Sequence, residues 1–266
     1  MIRSKELNID FEYVVEFSIC SFVTNKNEYE QMLNSFHIAG FNTDNCEYLY
    51  FDNSTNSNST DAFAGINYFL RKARGKFIIV CHQDIELIDN RQKLIDNIND
   101  ITLRDPKWGI ISNAGGVSPN HRIWYITYPD TGFQVRGQFP RIVYSVDENF
   151  MLIKNSANLS LSGNLKGFHL YGTDLCLIAQ LLGYTAWAIP FNLLHKSHGK
   201  NNEAFWEIRK ELKNKYSLFL KGRWIQTTIT SFYISGNWLE NLFIGNPIIL
   251  KVITLYNSLK KQAGKI

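Results

Sequence analysis

The stretch Lys76–Leu87, reading Lys-Phe-Ile-Ile-Val-Cys-His-Gln-Asp-Ile-Glu-Leu, constrains this chain more than any other. Phe77–Cys81 is a continuous apolar run rich in β-branched residues and set off by Gly75. A run of that length and composition reads as a strand buried on both faces of a sheet. His82, Gln83, Asp84 and Glu86 follow at once. A buried strand that ends in imidazole and carboxylate groups delivers them to the carboxyl edge of its sheet, where open α/β sheets bind ligands. Carboxylate oxygens suit hard divalent cations, and such cations clamp diphosphates. The stretch therefore predicts a strand that presents a metal ion and a nucleotide diphosphate.

The flanking sequence supplies a sheet for that strand. Tyr13–Val23 has the apolar, β-favouring content of a strand and ends at Thr24-Asn25-Lys26-Asn27, where Asn25 or Asn27 can cap a helix over Glu28–Ile38. Cys46–Phe51 predicts a second strand, followed by the polar loop from Asp52 to Ser59. Ser59 or Thr60 is placed to cap a helix reaching Ala73–Arg74, just before Gly75. The resulting β-α-β-α-β order marks a mostly parallel sheet with helices on its faces. A helix over Asp89–Leu103 and a strand over Trp108–Ser112 continue it. Residues 113–140 are rich in Gly, Pro and Tyr and read as a long insertion with one hairpin, of the kind that covers active sites. Arg141–Val146 and Phe150–Lys154 are strand-like and flank Asp147-Glu148-Asn149. Then come a helix over Tyr171–Leu182, a short strand over Thr185–Ile189 and a helix over Glu203–Leu220. Trp238–Tyr256 is apolar but interrupted by Glu240, Pro247 and Lys251, which suits docking or membrane-interface helices better than a spanning one.

Composition excludes some classes. The 266 residues, 45% apolar and 20% charged, suffice for one large α/β domain with an appendage. Cys20, Cys46, Cys81 and Cys176 form no Cys-x-x-Cys pair and read as buried thiols of a reducing compartment. The first residues, Met-Ile-Arg-Ser-Lys-Glu-Leu-Asn, lack an apolar signal-peptide core, so a cytoplasmic location is expected. Net charge is +4, and from Ala204 onward ten Lys and Arg face three Glu. That basic end fits a membrane surface, such as the inner face where lipid-linked acceptors sit, or simply a solvated helical face. Nothing points to nucleic acid.

Several residues carry candidate chemistry. No Gly-x-Gly-x-x-Gly follows the first strand and no Walker loop is present, so a nucleotide must be held by strand-end polar groups and a metal. Asp52 could accept from a base imide or a ribose hydroxyl, though alone it reads rather as the opening of an Asx-turn. Asp84 belongs to two triplets, His82-x-Asp84 and Asp84-x-Glu86, and strand alternation would place either pair on one side toward a cation. A helix cap or surface turn is the alternative, and the strand context favours the metal. Asp174 in Gly172-Thr173-Asp174 opens a helix whose dipole favours its ionised form, which suits a general base as well as a cap. His195 and His198 lie close together ahead of Gly199; imidazoles ligate Mn-type cations beside carboxylates, and lone histidines are more often structural.

In this order and spacing the pieces resemble the GT-A-fold glycosyltransferases, of the inverting family-two type found in bacterial surface-polysaccharide pathways. The likeness covers about Tyr13 to Tyr216. It rests on Thr24-Asn25, Asp52-Asn53-Ser54, Ala73-Arg-Gly-Lys-Phe-Ile leading into His-Gln-Asp, Trp108-Gly109, Ala114-Gly115-Gly116, Val146-Asp147-Glu148-Asn149-Phe150-Met151, Phe168-His-Leu-Tyr-Gly-Thr-Asp174 and His195-x-Ser-x-Gly199. The resemblance implies a nucleotide-binding half (about 10–112), an acceptor half (about 113–220) and a basic C-terminal extension (221–266). Thr24, Asn25, Asp52 and Asn53 would line the nucleotide pocket. Asp84 would stand at the metal-binding end of the Asp-x-Asp motif and His195 would complete the site for Mn or Mg; Glu86, from its triplet with Asp84, is a further candidate ligand, and His82 a candidate for holding the cofactor. Asp174 would be the base; Asp147, Glu148 and Trp108 would lie near the donor sugar or the acceptor. One departure is plain: His82 stands where the family carries its first aspartate. The implied activity is inverting transfer of a hexosyl or N-acetylhexosaminyl group from a nucleotide sugar, UDP-linked in the first instance, to a glycan or lipid-linked hydroxyl. A catalytically silent binding module on the same fold is the alternative. A nucleotidyltransferase would carry a Gly- and Arg-rich loop after the first strand, and Ser21–Asn27 has neither residue.

Overall fold

The computed structural model describes residues 12–55, 59–199 and 202–262. The N-terminal residues read above for a signal peptide, and 56–58 of the polar loop, lie outside the described residues. Two compact units form, Met1–Ile208 and Arg209–Ile266.

The first unit opens with β1 (Val15–Val23), α1 (Lys26–Ile38), β2 (Cys46–Asp52), α2 (Ala62–Lys72), β3 (Gly75–Cys81), β4 (Ile85–Leu87) and α3 (Arg91–Arg104). Helix starts follow local chemistry. The Asn25 side chain accepts from the Asn27 and Glu28 N–H groups and so starts α1. Asp61, rather than Ser59 or Thr60, caps α2, accepting from Phe63 and Ala64 N–H. Asn90 caps α3. Then come β5 (Trp108–Ser112), β6 (Ala114–Ser118), β7 (His121–Tyr128), β8 (Gly132–Arg136), β9 (Arg141–Val143), β10 (Ser145–Val146) and β11 (Phe150–Lys154). After these follow α4 (Tyr171–Leu181), β12 (Thr185–Ala188), β13 (Leu193–His195) and α5 (Glu203–Leu220).

Seven strands form the main sheet in the order β2-β1-β3-β11-β5-β12-β9. β2, β1 and β3 run parallel to one another, as do β5 and β12. β11 runs antiparallel between β3 and β5, and β9 runs antiparallel at the edge. This is the expected mixed α/β architecture. Six of the seven β3 residues are buried, only Lys76 reaching solvent, and Phe17, Phe77, Ile79, Phe150 and Leu152 pack with Trp108 into one core. Gly75 enters β3 where an added Cβ would meet backbone of Phe17 and Ser18 within 2.7 Å, so the two strands approach too closely for a side chain there. Cys20, Cys46, Cys81 and Cys176 are all buried and unpaired, as the sequence implied.

Residues 113–140 correct the expectation of a long insertion with one hairpin. They form three strands of a second sheet, ordered β10-β6-β7-β13-β4 with β8 on the outside of β7. The signal was hidden for two reasons. The buried residues of β7, Ile123 and Ile126, are three apart and break the period of two. β6 carries Gly115 and Gly116 where strand-forming residues are usual, because a Cβ on Gly115 would stand 2.5 Å from the Ser145 carbonyl oxygen. This sheet matters for function, since β4 and β13 bring Ile85 opposite His195.

The second unit contains a hairpin of β14 (Arg223–Gln226) and β15 (Ser231–Ile234), which the sequence reading missed, then α6 (Trp238–Phe243) and α7 (Pro247–Gln262). Glu240 accepts from the hydroxyls of Tyr233 at 3.1 Å and Ser235 at 2.8 Å, tying α6 to the hairpin. Ile248, Val252, Leu255 and Leu259 lie on one face of α7 and are exposed, as are Trp238, Leu242 and Phe243 of α6. Among the described residues no helix is long and apolar enough to cross a membrane.

Candidate functional site

The site is built where the chain leaves β3. His82 donates its backbone N–H to the Asn149 carbonyl at 3.0 Å, continuing the pairing of β3 with β11 for one more residue. The chain then turns at Gln83 and Asp84 before β4 begins. Gln83 Oε1 accepts from the N–H groups of Thr24 at 2.7 Å and Asn25 at 2.9 Å, and its Nε2 donates to Thr24 Oγ1 at 2.8 Å. The Asp84 carbonyl accepts from Lys196 N–H at 3.0 Å, extending the β4–β13 pairing to the turn.

These constraints gather three ligand atoms. His82 Nδ1 and His195 Nε2 are 3.5 Å apart; Asp84 Oδ1 is 3.8 Å from the first and 3.5 Å from the second. Atoms bound at about 2.1 Å to one tetrahedral ion stand about 3.4 Å apart, so the spacing fits a single cation. The donor chemistry also fits, since two imidazoles and a carboxylate favour Mn- or Zn-like ions over Mg, which prefers oxygen. No other group of three or more His, Cys, Asp or Glu with this arrangement is found among the described residues. Outer contacts orient the ligands. Ser197 Oγ donates to Asp84 Oδ2 at 2.5 Å. Tyr171 Oη lies 3.2 Å from His82 Nε2 and 3.5 Å from the Glu148 carbonyl. With Nδ1 left as acceptor, Nε2–H donates to Tyr171, whose own proton goes to that carbonyl.

The electrostatics suit ligation. Partial burial pushes the Asp84 carboxyl up, but hydrogen bonds from His195 and Ser197 and the two nearby imidazoles outweigh it and hold the group well below the ordinary carboxylate range. Burial first, then His195, pulls the His82 imidazole below its usual value, favouring the neutral, ligating form.

Beside this cluster lies a cavity of about 600 Å³ lined by β6, β7 and the 145–149 segment, with Asp147, Glu148, Asn149, Tyr128 and His198 among its walls. Tyr128 stacks on His198 at 4.4 Å between centroids and lies 6.1 Å from the His195 ring, so the cavity and the cluster adjoin. Asp147 is exposed and Glu148 half-buried. Burial, then the charge of Asp147, raises the Glu148 carboxyl to about 8. Asn149 Oδ1 is buried on the cavity wall without a protein partner, a lone pair suited to a ligand hydroxyl.

The nucleotide-pocket candidates meet at one rim. Val23 pairs with Asp52, and Asn53 N–H donates to the Val23 carbonyl at 2.7 Å. Asp52 is held ionised by hydrogen bonds from Ser54 and by Lys26 at 3.2 Å. Asn53 exchanges two hydrogen bonds with the Thr60 backbone, closing the polar loop.

Three expectations are corrected. Glu86 does not join the cluster: Asp84 sits in a turn, which breaks the strand alternation that would put both on one side, and Glu86 pairs with Lys196 at 2.5 Å. Trp108 opens β5 at the amino end of the strand; it is 1% exposed, stacked on Phe77 and bonded through Nε1 to Thr102, so it cannot serve as a sugar platform. Asp174 is 0% exposed, and Ser162 donates to it through N–H at 2.8 Å and Oγ at 2.7 Å. The first turn of α4 turns it inward, away from the cavity that a base must reach. Conversely, Gln83, Tyr171 and Ser197 emerge as site residues. Each lay within a motif already noted, but nothing in the spacing assigned it a role.

No protein-family model matches the sequence. The ATP synthase subunits region ORF 6 protein of Fuscovulum blasticum is 34% identical over 238 residues, covering 86% of this chain and 94% of that one. Among solved structures, the mannosyltransferase PcManGT from Pyrobaculum calidifontis, in complex with GDP-Man and Mn2+, matches with a TM-score of 0.50 at 14% identity, over 83% of this chain and 69% of that chain. S. aureus TarS 1-349 in complex with UDP-GlcNAc matches with a TM-score of 0.51 at 13% identity, over 76% of this chain and 66% of that chain. At these identities the likeness is one of fold: a mixed α/β sheet flanked by helices, of the GT-A type.

Two outcomes follow from the geometry. Asp84→Ala should weaken Mn2+ binding by more than about tenfold in isothermal titration, whereas Glu86→Ala should leave it unchanged; equal losses would place the ion elsewhere. Glu148 also gives a pH signature. Its folded-state value lies above that of an unfolded glutamate, so the folded protein binds more protons across that interval. Stability should therefore fall as pH rises from about 4.5 to 8, by roughly 4 kcal/mol. Glu148→Gln should remove that fall, seen as unfolding midpoints that no longer decline over this range.

Proposed function

The chain belongs to the family of the ATP synthase subunits region ORF 6 protein of Fuscovulum blasticum, and we propose that it is a glycosyltransferase working on a nucleotide-diphosphate sugar. The observation that carries this reading is the placement of His82, Asp84 and His195 within one ion's reach at the carboxyl edge of the sheet, beside a cavity with carboxylates in its wall. The fold match to PcManGT and TarS supports it, since one is solved with GDP-Man and Mn2+ and the other with UDP-GlcNAc.

The donor's nucleoside lies along the rim of β1 and β2. There Asp52 offers an ionised acceptor beside Thr24 and Asn25, and Asn53 shapes the loop. His82, Asp84 and His195 would hold a cation, Mn rather than Mg from the donor set, and it would supply neutralisation of the charge that develops on the leaving diphosphate. The sugar faces the cavity, where Asp147 and the unpartnered Asn149 Oδ1 meet hydroxyl groups. The acceptor hydroxyl enters from the cavity, on the side of the anomeric carbon away from the diphosphate. A single displacement then inverts configuration, and holding both substrates in line lowers the entropic part of the barrier. The transferred group is a hexosyl or N-acetylhexosaminyl unit from a UDP-sugar. The acceptor is a glycan or lipid-linked hydroxyl of bacterial surface-polysaccharide synthesis.

The second unit suits a peripheral position on the inner membrane face. The exposed apolar face of α7, with Lys251 and Lys260 on the same helix, matches an interfacial helix on anionic lipid. Burial of Asp174 favours one other reading, a module that binds donor without turning it over. Donor hydrolysis separates the two.

With Mn2+ present, a UDP-sugar should raise the unfolding temperature and be slowly hydrolysed, whereas a chelator should abolish both effects; a panel that includes UDP-GlcNAc and GDP-mannose and gives neither would sink the transferase reading. The double variant Val252→Glu/Leu255→Glu should lose co-sedimentation with phosphatidylserine vesicles; undiminished binding would remove the membrane role from α7.

A further inference from the structure

The proposed transfer needs a group to take the acceptor proton, and the interior position of Asp174 leaves that role open. Glu148 occupies the position the role requires. Its side chain lines the cavity. Oε1 accepts from Gly172 N–H at 3.1 Å in the first turn of α4. That helix begins with Leu170 in the left-handed region at φ 58° and has no side-chain cap of its own. A left-handed leucine is strained, and such strain persists only where the surroundings impose it. Here it turns the first N–H groups of α4 toward the Glu148 carboxylate. Gly172 makes room for the approach, since a Cβ there would stand 3.2 Å from Glu148 Cγ. Tyr171 Oη spans from the Glu148 carbonyl to His82 Nε2, so one side chain separates this residue from the cation cluster.

We propose that Glu148 is the general base of the transfer: its carboxylate takes the proton of the acceptor hydroxyl as that oxygen bonds to the anomeric carbon. In the same step the bond from that carbon to the diphosphate oxygen breaks, and its electron pair leaves with the nucleoside diphosphate. The proton is afterwards released to solvent. The inference rests on the glycosyltransferase reading and adds to it the residue that performs the proton transfer.

The surroundings tune the group for this task. Asp147 stands beside it, Tyr171 and Cys176 face it from α4, and Arg122 and His198 share the cavity. Burial and the Asp147 charge favour the protonated form, while the backbone N–H groups of α4 favour the ionised one. The balance falls near neutrality, where a general base is most effective.

Hydrolysis of UDP-GlcNAc and of GDP-mannose with Mn2+, with water in place of the acceptor, tests the assignment across pH 5.5–9.5. The wild-type rate should rise with pH along a limb centred near 8. Glu148→Gln should lower the rate by about 10²- to 10⁴-fold and erase the limb, while keeping the Mn2+-dependent thermal stabilisation by donor. Asp147→Asn should move the limb down by roughly half to one pH unit, a shift that a purely helix-capping role for Glu148 would not produce. A Glu148→Gln enzyme with full rate and an intact limb, or an Asp147→Asn limb that stays in place, overturns the base assignment and leaves the transferase reading standing. A wild-type protein that neither binds nor hydrolyses these donors overturns both.

Discussion

One side-chain amide holds the rim together. Gln83 sits at the turn between β3 of the main sheet and β4 of the second, and its amide engages the end of β1 through two backbone N–H groups and one hydroxyl. Each such bond contributes only about 1 kcal/mol net. Their effect is geometric: they fix the turn that carries His82 on one side and Asp84 on the other. The opposite hold comes from β13, whose pairing with β4 reaches the Asp84 carbonyl. Pinned from both sides, residues 113 positions apart in sequence bring His82 and His195 to 3.5 Å. Everything assigned to the cation depends on that turn.

The same rim drives chemically similar carboxyls in opposite directions. Asp84 is partly buried yet strongly acidic, because His195 and Ser197 donate to it. Glu148 is pushed to about 8, because burial and the neighbouring Asp147 outweigh the backbone donors it receives. The surroundings thus drive the two titrations apart, holding Asp84 ionised and bringing Glu148 to exchange its proton near neutral pH. Asp174 illustrates a third outcome: a buried carboxylate that accepts from the Ser162 N–H and hydroxyl in the loop before α4.

Much of this was legible in the chain. The apolar run of β3, the asparagine cap of α1 and the opening β-α-β-α-β order follow from local composition and periodicity, and these appear as expected. The second sheet was not legible. Its strands lack the alternation that reports a half-buried surface, and β6 uses glycines to let the Ser145 backbone approach. The hairpin of the second unit was missed too, lying in a segment where the sequence pattern is weak.

The residue types at the sheet edge, histidine, aspartate and a later histidine ahead of glycine, were set by sequence, because a buried strand must end somewhere and its polar end must face solvent or a ligand. Which of the carboxylates meets that ligand was decided only in three dimensions. Spacing fixes side-chain direction within a regular strand or helix, but Asp84 stands in a turn, Asp174 in a first helical turn that rolls inward, and Glu148 opposite a left-handed leucine. At such places direction is dictated by long-range pairing and close approach, for which local periodicity holds no information.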